Sequence, residues 1–179
     1  TKPFGITSGS AATTIDAGFV EINAPVTVNR SVNIYNHLLI NGILTLRPAD
    51  LMHLFPGAAI TGAFSNTKYI AANYTGAGVQ SLIQVDGVTA ATTIPVGTTV
   101  HYLPVTITPT TSSDFTVAAF TGITANGMIT GTPLPPFMKQ RMVDAVWNVN
   151  RLAGTGNATV QINWPTFLEG STYTTLTDI

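Results

Sequence analysis

Between residues 19 and 54 apolar and polar positions alternate in blocks of six: FVEINA, PVTVNR, SVNIYN, HLLING, ILTLRP and ADLMHL. In the first five blocks aliphatic side chains fall at the second and fourth places: Val20 and Ile22, Val26 and Val28, Val32 and Ile34, Leu38 and Ile40, Leu44 and Leu46. A spacing of two puts both on one face of a short strand. Asn23, Asn29, Asn36 and Asn41-Gly42 fall at or near the junctions, where turns need residues that tolerate positive φ. In the sixth block Leu51, Met52 and Leu54 slip off this register. A repeat this short either stacks into a β-solenoid-like region or folds as an up-and-down meander with tight hairpins, and the pattern leaves both open. A left-handed hexapeptide helix would want one aliphatic per six and a following Gly, which is not what is written here.

After Phe55 the pattern loosens. Pro56-Gly57 reads as a turn and 62–66 as a loop, with strands expected at 67–73 and 81–85. Further strands are expected at 92–97, 99–108, 114–120, 127–130, 143–150 and 158–164. Turn signals at 110–114, 131–136 and 154–157 separate them. Short strands with regular turns argue for an antiparallel β-sandwich. Residues 137–146 (FMKQRMVDAV) hold good helix formers. The apolar residues at spacing two that follow favour a strand starting at Met142 instead. The expected fold is therefore all-β, with a repeat-containing β region over 1–80 and a β-sandwich module over 81–179.

Composition narrows the setting. Charged residues are 8% of the chain, against about 25% in ordinary globular domains. The hydrophobic fraction is 45%, too high for a disordered segment. Net charge is -1, and the seven basic residues are scattered. That leaves no electrostatic footprint for nucleic acid and no polybasic membrane-surface patch. No apolar run approaches the roughly 20 residues that span a bilayer, so no membrane insertion is expected. Cysteine is absent, which suits an exported protein that avoids disulfide chemistry. There is no signal-peptide pattern at Thr1, and a strand-like pattern is still running at Thr177-Asp178-Ile179. The expectation is a piece of a longer chain, with the sandwich cut short at its C-terminal end.

Several stretches taken in order are similar to a pattern in very long surface proteins of Bacteroidota. These are LLINGILTLRPADLMHLFPGAAITG (38–62), TKYIAANYTG (67–76), TIPVGT (93–98), YLPVTI (102–107), VWNV (146–149) and VQINW (160–164). The resemblance spans roughly residues 38 to 179 and rests on the order of short pieces. Such proteins are typically exported by the type IX secretion system and serve as adhesins, gliding-associated filaments or other appendages. It implies an extracellular or cell-surface location and an internal piece lacking the C-terminal sorting domain. It carries over no catalytic residue.

The chemistry-bearing residues form no recognisable motif. His37, His53 and His101 are not spaced as metal ligands on one element. Asp50 and His53 are near enough in sequence to suggest a base and its orienter, but no nucleophile-elbow serine accompanies them. Glu21 with Asp50 is an imaginable glycosidase pair. No D-x-D run marks a calcium site, and Gly76-Ala77-Gly78 and Gly154-Thr155-Gly156 read as turns, since no helical segment follows to make a phosphate cradle. The third places of the six blocks (Glu21, Thr27, Asn33, Leu39, Thr45, Leu51) make no threonine ladder of the kind that binds ice. Trp147, Trp164, Tyr102, Tyr69 and Phe115 sit within alternating stretches and are expected in the core; Tyr35 and Tyr74, nearer turns, are better placed for exposed contacts. The expected function is that of a non-catalytic structural or adhesive module, needing no cofactor. Its expected partners are neighbouring modules, further copies in an oligomer or filament, or a surface glycan. The alternative is a carbohydrate-binding module of a secreted enzyme.

Overall fold

A computed structural model describes residues 14–75 and 77–174. The chain runs through β1 (Thr14–Ile22), β2 (Val26–Val28), β3 (Ser31–Ile40), β4 (Leu44–Leu46) and β5 (Leu51–Leu54). Sequence neighbours do not pair. β1 pairs with β3 and β3 with β5, in parallel, and β2 pairs in parallel with β4. A meander would pair β1 with β2 antiparallel; the chain winds instead, sending alternate strands to two different sheets. Val20 lies beside Leu38, Ile22 beside Ile40, Val26 beside Leu44 and Val28 beside Leu46, 18 residues on in each case. Three six-residue blocks therefore make one turn of the winding.

The slip in the sixth block has a local cause. Val32 lies beside Met52 and Ile34 beside Leu54, a step of 20 residues. The turn from β2 to β3 uses residues 29–30, whereas the turn from β4 to β5 uses 47–50. The two added residues are absorbed there, with Ala49 at φ 70° and an Arg47–Asp50 ion pair of 3.0 Å across the turn. The aliphatic row is kept: Met52 and Leu54 are buried as Val32 and Ile34 are.

Winding continues with longer excursions. β6 (Ala59–Thr61) lies beside the second half of β3, β7 (Ile70–Ala71) beside β4 and β8 (Leu82–Val88) beside β5. Beyond β8 come β9 (Thr92–Ile94), β10 (Val96–Gly97), β11 (Val105–Pro109), β12 (Ser113–Thr121), α1 (Pro136–Lys139), β13 (Ala145–Ala153) and β14 (Ala158–Ile162). Three sheets result: a seven-stranded one ordered β1-β3-β5-β8-β12-β13 with β6 on β3, a four-stranded one ordered β10-β7-β4-β2, and a three-stranded one ordered β14-β11-β9. In the large sheet pairing turns antiparallel at β8–β12 and stays so at β12–β13. Ile34, Leu54, Ile83 and Val117 of that sheet share one buried cluster with Leu46 and Ile70 of the second and Ile94 and Ile107 of the third. The fold is all-β with sandwich packing. Sheet and core both run across residues 80 and 81, where the sequence pattern changes, because β8 pairs on both sides.

Some expected strands are shorter or displaced. Within 67–73 only Ile70–Ala71 is strand. In 99–108 the strand begins at Val105; Val100 is 70% exposed, in a turn where Thr98 Oγ1 accepts the Val100 and His101 N–H groups. Residues 127–130 form a turn rather than a strand. The strand expected from Met142 starts at Ala145, and Pro136–Lys139 forms a single helical turn before it. Gly76 and the last five residues lie outside the described ones. Among the described residues no helix is long and apolar enough to cross a membrane.

Corners of successive turns touch. Asn41 N–H donates to Ile22 O at 2.8 Å, and the Asn41 amide to Asn23 Oδ1 at 3.1 Å. Gly42 then lies on the backbone of Ala24, where an added Cβ would come within 2.7 Å of it. Gly42→Ala should cost about 1–3 kcal/mol in urea unfolding, the usual cost of overpacking. Gly18→Ala, with nothing within 4 Å of its Cβ, should stay within about 0.5 kcal/mol of the parent.

Candidate functional site

Because inward and outward side chains alternate along each strand, in-register pairing lines the outward ones up across the sheet. Asn33, His53, Gln84, Thr116 and Asn150 form one such row, each aligned with the next across β3, β5, β8, β12 and β13. Their chain neighbours Val32, Ile34, Met52, Leu54, Ile83, Val85, Phe115 and Val117 are all buried, which puts the row on the opposite face.

His53 is the centre of that face. It meets Asp86 Oδ2 at 2.6 Å through Nε2, and the Gln84 amide donates to Asp86 Oδ1 at 2.9 Å. A bulge sets this up: β8 carries one residue more than β12 between Val85 and Val88. Gly87 takes φ 67° there and its N–H donates to Asp114 Oδ1 at 2.7 Å. Such a bulge re-aims the side chain beside it, here Asp86. The His53 ring stacks on Phe55 at 4.0 Å, and Phe55 stacks on Tyr35 at 4.5 Å. Tyr35 keeps 48% of its surface exposed. Farther along β3, His37 lies edge-on to the exposed Phe19 at 5.2 Å and reaches Thr61 Oγ1 at 2.6 Å. The face offers amides, hydroxyls, two imidazoles and ring surfaces, with few charges.

The pairings imagined from sequence do not form. Asp50 is held by Arg47, and the carboxylate on His53 is Asp86, 33 residues away in sequence. Glu21 sits beside Leu39, whereas Leu51, next to Asp50, bonds to Ser31. Those positions are eight residues apart on β3, about 26 Å, too far for a glycosidase pair. His101 lies against Phe167 at 5.0 Å, away from the other two histidines' partners. Among the described residues no three His, Asp or Glu side chains gather to hold a metal. Asp86 carried no signal in the sequence; only the register of β5 against β8 brings it to His53.

The aromatic residues divide by face. Tyr69 and Phe115 are buried, and the Trp147 indole donates to Leu103 O at 3.1 Å while packing against Trp164 at 5.9 Å. Trp164 donates to Glu169 Oε1 at 3.0 Å, and Tyr102 lies against Tyr69 at 5.7 Å. Tyr74 is exposed and lies edge-on to Phe120 of β12. A shallow cleft of about 400 Å³ lies between α1 and the turn at 166–168, with the Lys139–Asp144 ion pair on its wall.

No protein-family model, curated protein or solved structure matches the chain.

Two measurements check this geometry. A double-mutant cycle of His53→Ala and Asp86→Ala should give a coupling of about 1 kcal/mol or more, while Asp50→Ala with His53→Ala should be additive within about 0.5 kcal/mol. Burial raises the Tyr69 and Tyr102 phenols above their ordinary value of 10.0. The unfolded chain then loses these protons first, so stability holds below about pH 10 and falls as pH rises further. Tyr69→Phe should flatten that decline in urea midpoints measured from about pH 9 to about pH 11.

Proposed function

We propose that this chain is a non-catalytic structural and adhesive module of a large extracellular bacterial surface protein, and that the polar outer face over β3, β5 and β8 of its seven-stranded sheet is the adhesive surface. One observation carries the reading. Parallel strands are normally covered on both faces, yet here β3, β5 and β8 present the row of Asn33, His53 and Gln84 outward, with the Tyr35–Phe55–His53 stack alongside. The winding supports the structural role, since each turn rests on the one before it and neighbouring modules can be carried in line. The ordered likeness to Bacteroidota surface proteins supports an extracellular location and export by the type IX route.

The chemistry of the face suits a surface glycan. Amides and imidazoles match sugar hydroxyls as donors and acceptors, and an exposed tyrosine offers an amphipathic ring for the C–H side of a pyranose. A face with so little charge suits a neutral polysaccharide better than an acidic one. The same stack favours a second reading, a carbohydrate-binding module of a secreted enzyme, which differs in what the rest of the parent protein does.

The test is binding to a panel of immobilised neutral polysaccharides, with reducing ends assayed in parallel. Binding should fall roughly 10-fold in Tyr35→Ala and in Phe55→Ala, and stay unchanged in Val100→Ala, which lies elsewhere. Failure of the parent chain to bind any glycan would sink the glycan reading, and release of reducing ends would sink the non-catalytic one.

A further inference from the structure

The seven-stranded sheet ends at β13, and among the described residues no strand pairs with its outer side. This edge is nine residues long, whereas β14, which ends the three-stranded sheet, has five. Natural edges of this length are usually blunted by lysine, proline, an inward charge or a strong bulge. β13 reads Ala-Val-Trp-Asn-Val-Asn-Arg-Leu-Ala and has no lysine or proline. Its one charge, Arg151, is turned to the inner face: it donates to Gly156 O at 2.7 Å and lies 5.6 Å over the Phe115 ring. The one bulge falls at Leu152, near the end of the strand, and leaves Ala145 to Arg151 in regular pairing with β12.

We propose that β13 is a dimerisation edge, and that its occupant is β13 of a second copy of this chain, paired antiparallel about a two-fold axis at Val149. Antiparallel self-pairing keeps inward residues on the inward face of both copies, so the sheets join without a slip. Val149 then faces Val149 of the second copy. Asn148 faces Asn150 in both directions, and each amide is donor and acceptor at once, so the contact complements itself. Trp147 faces Arg151 on the inner side. Asn148 and Asn150 are exposed in the single copy, and a chain of net charge -1 meets little self-repulsion. The outer faces of the two sheets would then lie side by side, with the row of each copy ending at Asn150 against Asn148 of the other.

Sedimentation equilibrium of the whole chain over a wide concentration range tests this. The parent should be a dimer. The double variants Asn148→Lys with Asn150→Lys, and Asn148→Asp with Asn150→Asp, place like charges opposite each other. Each should weaken association roughly 10- to 100-fold and keep the parent's circular dichroism. Mixing the two should restore a mixed dimer, because the charges then match. A parent that stays monomeric throughout overturns the proposal. So does a lysine variant that dimerises as well as the parent, or a mixture of variants that remains monomeric. These outcomes do not depend on glycan binding.

Discussion

The structure depends on one constraint: each turn of the chain must return in register above the previous one, 18 residues on. Parallel strands share backbone hydrogen bonds only when aligned, and a slip of one residue would send Val32, Ile34, Leu38 and Ile40 to the solvent side. The aliphatic pairs of the six-residue blocks are the energetic reason for the alignment, since wholly burying each such side chain contributes about 1.5–3 kcal/mol. The corners set how closely turns approach. Asn41 over Asn23, and Gly42 against Ala24, permit backbone contact that a side chain would prevent. Where two residues are added, at 47–50, the excess is held in the turn and the strands keep their faces.

From that constraint the outer face follows. In-register strands align outward residues as strictly as inward ones, so polar positions spread over a hundred residues of sequence become neighbours. His53, Gln84 and Asp86 meet in this way, and so do Tyr35 and Phe55. The Gly87 bulge departs from the rule to turn one carboxylate toward the imidazole. A face with rings, amides and hydroxyls on a rigid sheet loses little conformational entropy on meeting a ligand.

The sequence showed the inward positions well, because a period of two over five blocks is a strong signal and burial enforces it. It showed the class of fold for the same reason. It did not show which strands pair: Val20 and Ile22 would look identical in a meander or a winding, since the pairing lies in long-range register. The core roles of Tyr69, Phe115 and Trp147 were legible from alternation. The partner of His53 was not, because Asp86 lies beyond two long excursions whose length no local pattern fixes. Asp50, three residues from His53, was the visible neighbour, and Arg47 holds it in the turn instead. Strands at 99–108 and 127–130 were overstated because short runs of Thr, Ile, Val and Tyr have β propensity even where the backbone turns.

A winding of parallel strands has no natural end: each added turn leaves the next edge open. Here the end is made at β8, where the chain stops adding parallel turns and lays β12 antiparallel against it, followed by β13. This cap covers β8 and moves the open edge to the outer side of β13, five strand positions from β1. An edge strand accepts a neighbour of either direction, as β8 does with β5 parallel on one side and β12 antiparallel on the other. Two strands related by a two-fold axis normal to the sheet are antiparallel and keep their inner faces together. Ending the winding with β12 and β13 leaves such an edge at β13. The low charge of the chain leaves that edge without the guards that lysine and proline provide elsewhere.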